Sequence, residues 1–148
     1  MCIRDRVRIV DPNRIDVPRW PMLHEQVRAL AEGPNFAALT TLMPDGQPQT
    51  HVMWVGCDDE HLLINTEVHR RKFKNVAADP RVTVAIWDAE NPYSFVEVRG
   101  RVIETITGDA ALASINALSE KYTGGDYTAE IQSERVILRI AADRQVTR

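Results

Sequence analysis

From Phe36 onward the chain is a succession of short β-type runs, each closed by a turn signal, and this punctuation restricts the fold more than any other feature. The first runs are Phe36–Leu42, Gln47–Val55 and His61–Asn65. Between the first two stands Met43-Pro44-Asp45-Gly46, where Pro44 presets φ near about −65° and Gly46 supplies conformational freedom, so a hairpin is predicted. Three antiparallel strands are expected from this region. Further strands are expected at Val82–Trp87, Ser94–Ile106 and Arg135–Ile140. In the longest, Val96, Val98 and Val102 alternate with Glu97, Arg99 and Arg101, and Gly100 interrupts the pattern as a bulge would. Helical periodicity is confined to three places. Leu23, Val27, Leu30 and Ala31 precede Gly33-Pro34; His69–Ala78 ends at Asp79-Pro80; and Asp109 is placed to cap a helix through Leu112, Ile115, Leu118 and Tyr122 that closes at Gly124-Gly125. Strands outnumber helices and most connections are of hairpin length. The expected class is therefore mainly β with peripheral helices, an antiparallel barrel.

At 148 residues, 44% hydrophobic and 26% charged, the chain has the make-up of one folded domain. Residues 1–17 carry charge without an apolar period and are expected to be a disordered or appended leader, with residues 18–148 as the single domain. No window approaches the roughly 18 apolar residues of a membrane span, and Arg4, Arg6, Arg8 and Arg14 replace the apolar core of a signal peptide. Only Cys2 and Cys57 are present, so a cytoplasmic location is expected. A net charge of −3 argues against a surface devoted to nucleic acid.

The chemistry-bearing motifs are few. His24, His51, His61 and His69 lack metal-ligand spacing, and no metal site is expected. Gly-x-Ser-x-Gly, Walker and Gly-x-Gly-x-x-Gly signatures are absent. The feature above background is Arg70-Arg71-Lys72-Phe73-Lys74, at the start of a predicted helix. Cations there oppose the helix dipole and need another reason, which an anionic ligand on the free N–H groups provides. A solvated helix face and a nucleic-acid contact are the other readings. The polar strand Gln49-Thr50-His51-Val52-Met53-Trp54 alternates two faces, Thr50, Val52 and Trp54 against Gln49, His51 and Met53, and reads either as a site wall or as an exposed edge.

In order and spacing, Pro48-Gln49-Thr50-His51-Val52, Leu62-Leu63-Ile64-Asn65-Thr66, Arg70 to Asn75 and Asp79-Pro80-Arg81-Val82 resemble the pyridoxamine 5′-phosphate oxidase-like split-barrel family. Glu97 to Val102 and Lys121-Tyr122-Thr123-Gly124-Gly125 resemble its deazaflavin (coenzyme F420)-dependent oxidoreductase branch, and the likeness runs from Leu23 to Arg148. The resemblance implies a homodimer of six-stranded antiparallel split β-barrels with two flavin-type cofactors at the subunit interface. It implies that Arg70 and Lys72 hold the cofactor phosphate beside Asn65 and Thr66, that Gln49, Thr50, His51, Val52 and Met53 lie along the ring and its side chain, and that Phe73 adjoins the site. Tyr93 and Phe95 are implied to come from the partner subunit.

The resemblance further implies an F420-dependent oxidoreductase that passes a hydride to a small unsaturated or aromatic substrate, expected over the Trp54 and Trp87 side of the pocket. The alternatives it leaves open are an FMN-dependent oxidase or reductase and a non-catalytic cofactor-binding protein. Such chemistry is carried by the cofactor, which accounts for a sequence without a visible catalytic dyad. Neither a nucleic-acid nor a membrane partner is expected.

Overall fold

The computed structural model describes residues 22–148, together with the backbone of two short strands, β1 (Asp5–Arg6) and β2 (Pro18–Arg19), which pair antiparallel. Apart from Asp5–Arg6, the expected leader lies outside the described residues. The remaining elements are α1 (Glu25–Glu32), β3 (Ala37–Leu42), β4 (Pro48–Met53), β5 (Gly56–Cys57), β6 (His61–Glu67), α2 (Arg71–Ala78), β7 (Arg81–Asp88), β8 (Asn91–Ile106), α3 (Asp109–Thr123) and β9 (Arg135–Thr147).

Strands β3 to β9 form one antiparallel sheet in the order β4-β3-β7-β8-β9-β6-β5. Its two edges, β4 and β5, are separated by only Trp54 and Val55 in the chain. A flat sheet of this width would hold them roughly 29 Å apart, whereas three residue steps reach only about 10 Å. The sheet therefore curls into a barrel. Among the described residues it is mainly β with three helices on its periphery, six substantial strands and a two-residue seventh, with a split between β4 and β6. The predicted hairpin is present, with β3 paired to β4 from Leu42↔Pro48 to Ala37↔Met53. The three antiparallel strands expected from this region are present, and the third, β6, pairs with β9, from His61↔Ala141 to Glu67↔Arg135, and not with β4.

Alternation builds the core. Leu39, Leu62, Ile64, Val84, Ile86, Val96, Val98, Leu138 and Ile140 point inward and are buried, joined by Val27, Leu30 and Ala31 of α1 and Val76 of α2. Burying side chains of this size stabilises by about 1.5–3 kcal/mol each before entropy is counted. The register of β8 shifts at Arg99/Gly100, as the interruption at Gly100 suggests, because a Cβ there would lie 1.9 Å from the Ala141 carbonyl oxygen. At α3, Asp109 is the first helical residue, and Gly108, at φ 76°, holds the cap position instead. Gly124 closes that helix in the left-handed region, as its type favours. No helix among the described residues is long and apolar enough to cross a membrane.

Candidate functional site

The split between β4 and β6 opens as a cleft of about 450 Å³. His51, Val52 and Met53 of β4 form one wall and Asn65 and Thr66 of β6 the other, while Arg70, Arg71 and Lys72 close its end. Each reaches the cleft for a local reason. The β3 register carries Met53 and His51 on the inward parity of β4, at the edge where no further strand pairs. Helix α2 begins directly below, so the N–H groups of Arg71 and Lys72 have no carbonyl four residues back inside the helix. Its first turn holds no acid and its cap no side-chain hydrogen bond. Asn75 ties the helix to the barrel by donating Nδ2–H to Thr41 Oγ1 at 2.9 Å.

Lys72 is only 6% exposed yet has no hydrogen bond or ion pair among the described residues. Burial, with Arg70 and Arg135 nearby, pushes its pKa below the usual lysine value. Thr66, equally buried, leaves its hydroxyl without a partner in the same wall. Leaving a buried polar group unpaired costs about 1–3 kcal/mol, and more when it is charged. Burial, Lys72 and Arg70 also lower the pKa of His51, which favours its neutral imidazole. A cation, a hydroxyl and two free N–H groups around one recess make a site that favours an anion with several acceptor oxygens. A phosphate monoester fits this donor set.

Behind Lys72 lies an acid that sequence reading did not single out. Glu67, 1% exposed, accepts Nη1–H of Arg135 at 3.2 Å and Nη2–H of Arg70 at 3.4 Å. It also accepts the backbone N–H groups of Gln132 and Ser133, both at 2.7 Å. Burial pushes its pKa up, but those two N–H groups and both guanidiniums outweigh it, and the net shift is downward. Glu67 thereby fastens the segment after α3 against the cleft. That segment carries Tyr127, which with Phe36, Trp54, Ile115, Leu118 and Arg135 lines a second recess of about 310 Å³ that shares Met53, Asn65 and Arg70 with the first.

Of the residues expected from sequence, His51, Val52, Asn65, Thr66, Arg70 and Lys72 line the cleft together. The others sit elsewhere in this chain. Thr50 faces the outside of the barrel, hydrogen-bonded to Thr40 at 2.7 Å, and Gln49 lies beneath the wall, 3.4 Å from Asn75. Phe73 packs against the core. Tyr93, 88% exposed, and Phe95 lie on β8 away from the cleft. Trp54 lines the second recess, but Trp87 does not: inward parity on β7 belongs to Val82, Val84 and Ile86, and Trp87 stands opposite Phe95 on the other face. Tyr127, Arg135 and Glu67 carried no local signal, since none lies in a motif with its spatial neighbours.

Comparison with known proteins places this geometry in context. Residues 23–146 match the family model described as pyridoxamine 5′-phosphate oxidase. The solved structure of an F420 reductase superposes with a TM-score of 0.74 at 31% identity, covering 85% of this chain and 100% of that one. A conserved hypothetical protein of Mycobacterium tuberculosis superposes at 0.67 with 27% identity, covering 85% and 84%. A pyridoxine/pyridoxamine 5′-phosphate oxidase of Nostoc sp. is 30% identical over 95 residues, 63% of this chain and 43% of that protein, so the match spans less than half of that relative's length.

Proposed function

The chain belongs to the pyridoxamine 5′-phosphate oxidase family, and from that premise we propose that it is an F420-dependent oxidoreductase acting on a small unsaturated or aromatic substrate. The observation that carries the reading is the buried, unpaired ammonium of Lys72 at the mouth of α2. In this reading Lys72, Arg70 and the first N–H groups of α2 hold the cofactor phosphate, and Thr66 donates its free hydroxyl. Val52 and Met53 exclude water along the neighbouring wall. Arg71, exposed at the rim, meets the carboxylates of the deazaflavin tail. When bound, the deazaflavin supplies the hydride chemistry, so the chain's own work is binding, orientation and desolvation.

Support for the deazaflavin comes from the F420 reductase, which this chain matches along that protein's full length. The match to the Nostoc oxidase favours a second reading, FMN-dependent oxidation or reduction at the same cleft. Titration of the purified protein with F420 and with FMN separates them: the reading predicts tighter binding of F420, and a protein that purifies yellow with retained FMN overturns it. Binding without turnover on any acceptor indicates a cofactor carrier instead. A cytoplasmic homodimer is part of the same reading, built on the outer sheet face where Val52, Ala38 and Ala85 stand side by side.

A further inference from the structure

The recess next to the cleft has features that phosphate binding does not use. One side is aromatic and held rigid. Trp54 stacks on Tyr122 with ring centroids 5.1 Å apart and planes at 6°, and Tyr127 meets Trp54 edge-on at 6.4 Å. Tyr122 cannot swing away, because its hydroxyl accepts the Val55 N–H at 3.0 Å and donates to the Asn35 carbonyl. Over the Tyr127 ring lies a guanidinium. Arg135 is 5% exposed, lies 5.4 Å from the Tyr127 ring centroid, and gives Nε–H to Asn65 at 2.9 Å and Nη1–H to Glu67.

Its Nη2 has no partner among the described residues. Nor is its charge cancelled, since the single carboxylate of Glu67 is shared with Arg70 and Lys72 stands nearby. A recess walled by aromatic and aliphatic side chains, with the unspent Nη2 of Arg135 and the guanidinium of Arg70 in its lining, favours a flat ligand with one anionic group. Pockets for small molecules run from about 300 to 1,000 Å³, and this one, at about 310 Å³, admits one or two fused rings.

We propose that the Trp54–Tyr127–Arg135 recess is the substrate subsite and that its substrates are planar aromatic carboxylates of one or two rings. This deepens the functional reading above and rests on it only for the role of substrate. The ring lies against Trp54 and Tyr127, the carboxylate takes Nη2–H of Arg135, and the ligand sits across Met53 and Asn65 from the phosphate cleft.

The test uses 2-naphthoate and its neutral isostere 2-naphthamide, titrated into the protein with and without saturating F420 or FMN and followed by calorimetry. The acid is expected to bind roughly 10- to 100-fold tighter than the amide, the range for one charge-assisted hydrogen bond. Arg135→Lys keeps a cation for Glu67 but loses the planar fork, and is expected to reduce that preference severalfold. Tyr127→Ala is expected to weaken both probes about equally. Lys72→Ala should weaken cofactor while the preference for the acid over the amide persists. Equal affinity for acid and amide overturns the proposal, as does displacement of naphthoate by the cofactor, which would make the recess the cofactor's own. Should Arg135→Lys fail to fold, the acid-to-amide ratio of the unaltered protein and Tyr127→Ala decide. Loss of the naphthoate preference with Lys72-dependent cofactor binding intact defeats this proposal alone; absence of cofactor binding with the preference intact defeats the functional reading alone.

Discussion

Three charged side chains are buried around the split, and two of them, Lys72 and Glu67, answer to different forces. Lys72 is a cation held without a counter-ion among the described residues, whereas Glu67 is an anion satisfied four times over. Replacing Lys72 by Ala therefore removes a donor to the ligand more than a support of the fold. The expected loss is about 1.5–3 kcal/mol of cofactor affinity, or roughly ten- to a hundred-fold in Kd by titration. Lys74 is exposed and outside the cleft, so Lys74→Ala should change Kd far less; equal small effects at both positions would reduce the cluster to a solvated basic face. Glu67→Gln acts oppositely. It leaves Arg135 buried beside a neutral amide, and unfolding by urea should show a loss of about 3 kcal/mol at pH 7. Because the folded pKa of Glu67 lies below its ordinary value, its contribution is complete above the unfolded pKa, about 4.3, and disappears as pH falls through the folded one. The difference in stability between the native protein and the Glu67→Gln variant should thus close in acid. A difference that stays constant as pH falls and the carboxylate takes up its proton would show that its charge is not what stabilises.

Among the elements, β8 shows how one residue shapes the barrel. It is 16 residues long, and its register with β9 shifts at Gly100, where the two backbones approach too closely for any side chain. Gly100→Ala is expected to cost about 2 kcal/mol or more, lowering Tm by roughly 5 °C. Gly125→Ala, with nothing within 4 Å of its Cβ, should leave Tm unchanged. Thermal melts of the two variants check the pair, and similar values would mean that β8 and β9 can part without penalty. The alternation of Val96 and Val98 with charged neighbours, the Pro44-Asp45-Gly46 hairpin and the α1 period were all legible in the sequence, since each depends on residues within one or two turns of each other. The pairing of β6 was not. The strand along which it pairs for its whole length, β9, follows some seventy residues later, beyond the reach of any local pattern.

For the whole molecule, the outer face of β4, β3 and β7 presents small and apolar side chains in register: Val52, 61% exposed, beside Ala38 and Ala85, with Thr50, Thr40 and Thr83 in the next row. Such a surface permits close approach of a second sheet, and a dimer mass is expected by light scattering at micromolar concentration. Ala85→Arg places a long cation in the middle of that row and should shift the mass toward the monomer without lowering Tm; a native protein that is monomeric with cofactor tightly bound would end the dimer reading. The sequence by itself determined the class of fold, the positions of its turns and the cation-rich mouth of α2, because periodicity, turn chemistry and charge clustering act between near neighbours. Only the tertiary structure decided that β4 and β6 stay unpaired, that a cleft opens between them, and that Tyr127, Arg135 and Glu67 converge beside it. The physical reason is that closing a curled sheet spends its hydrogen bonds on whichever strands its order brings together, and where two edges meet without pairing, residues far apart in the chain become one surface.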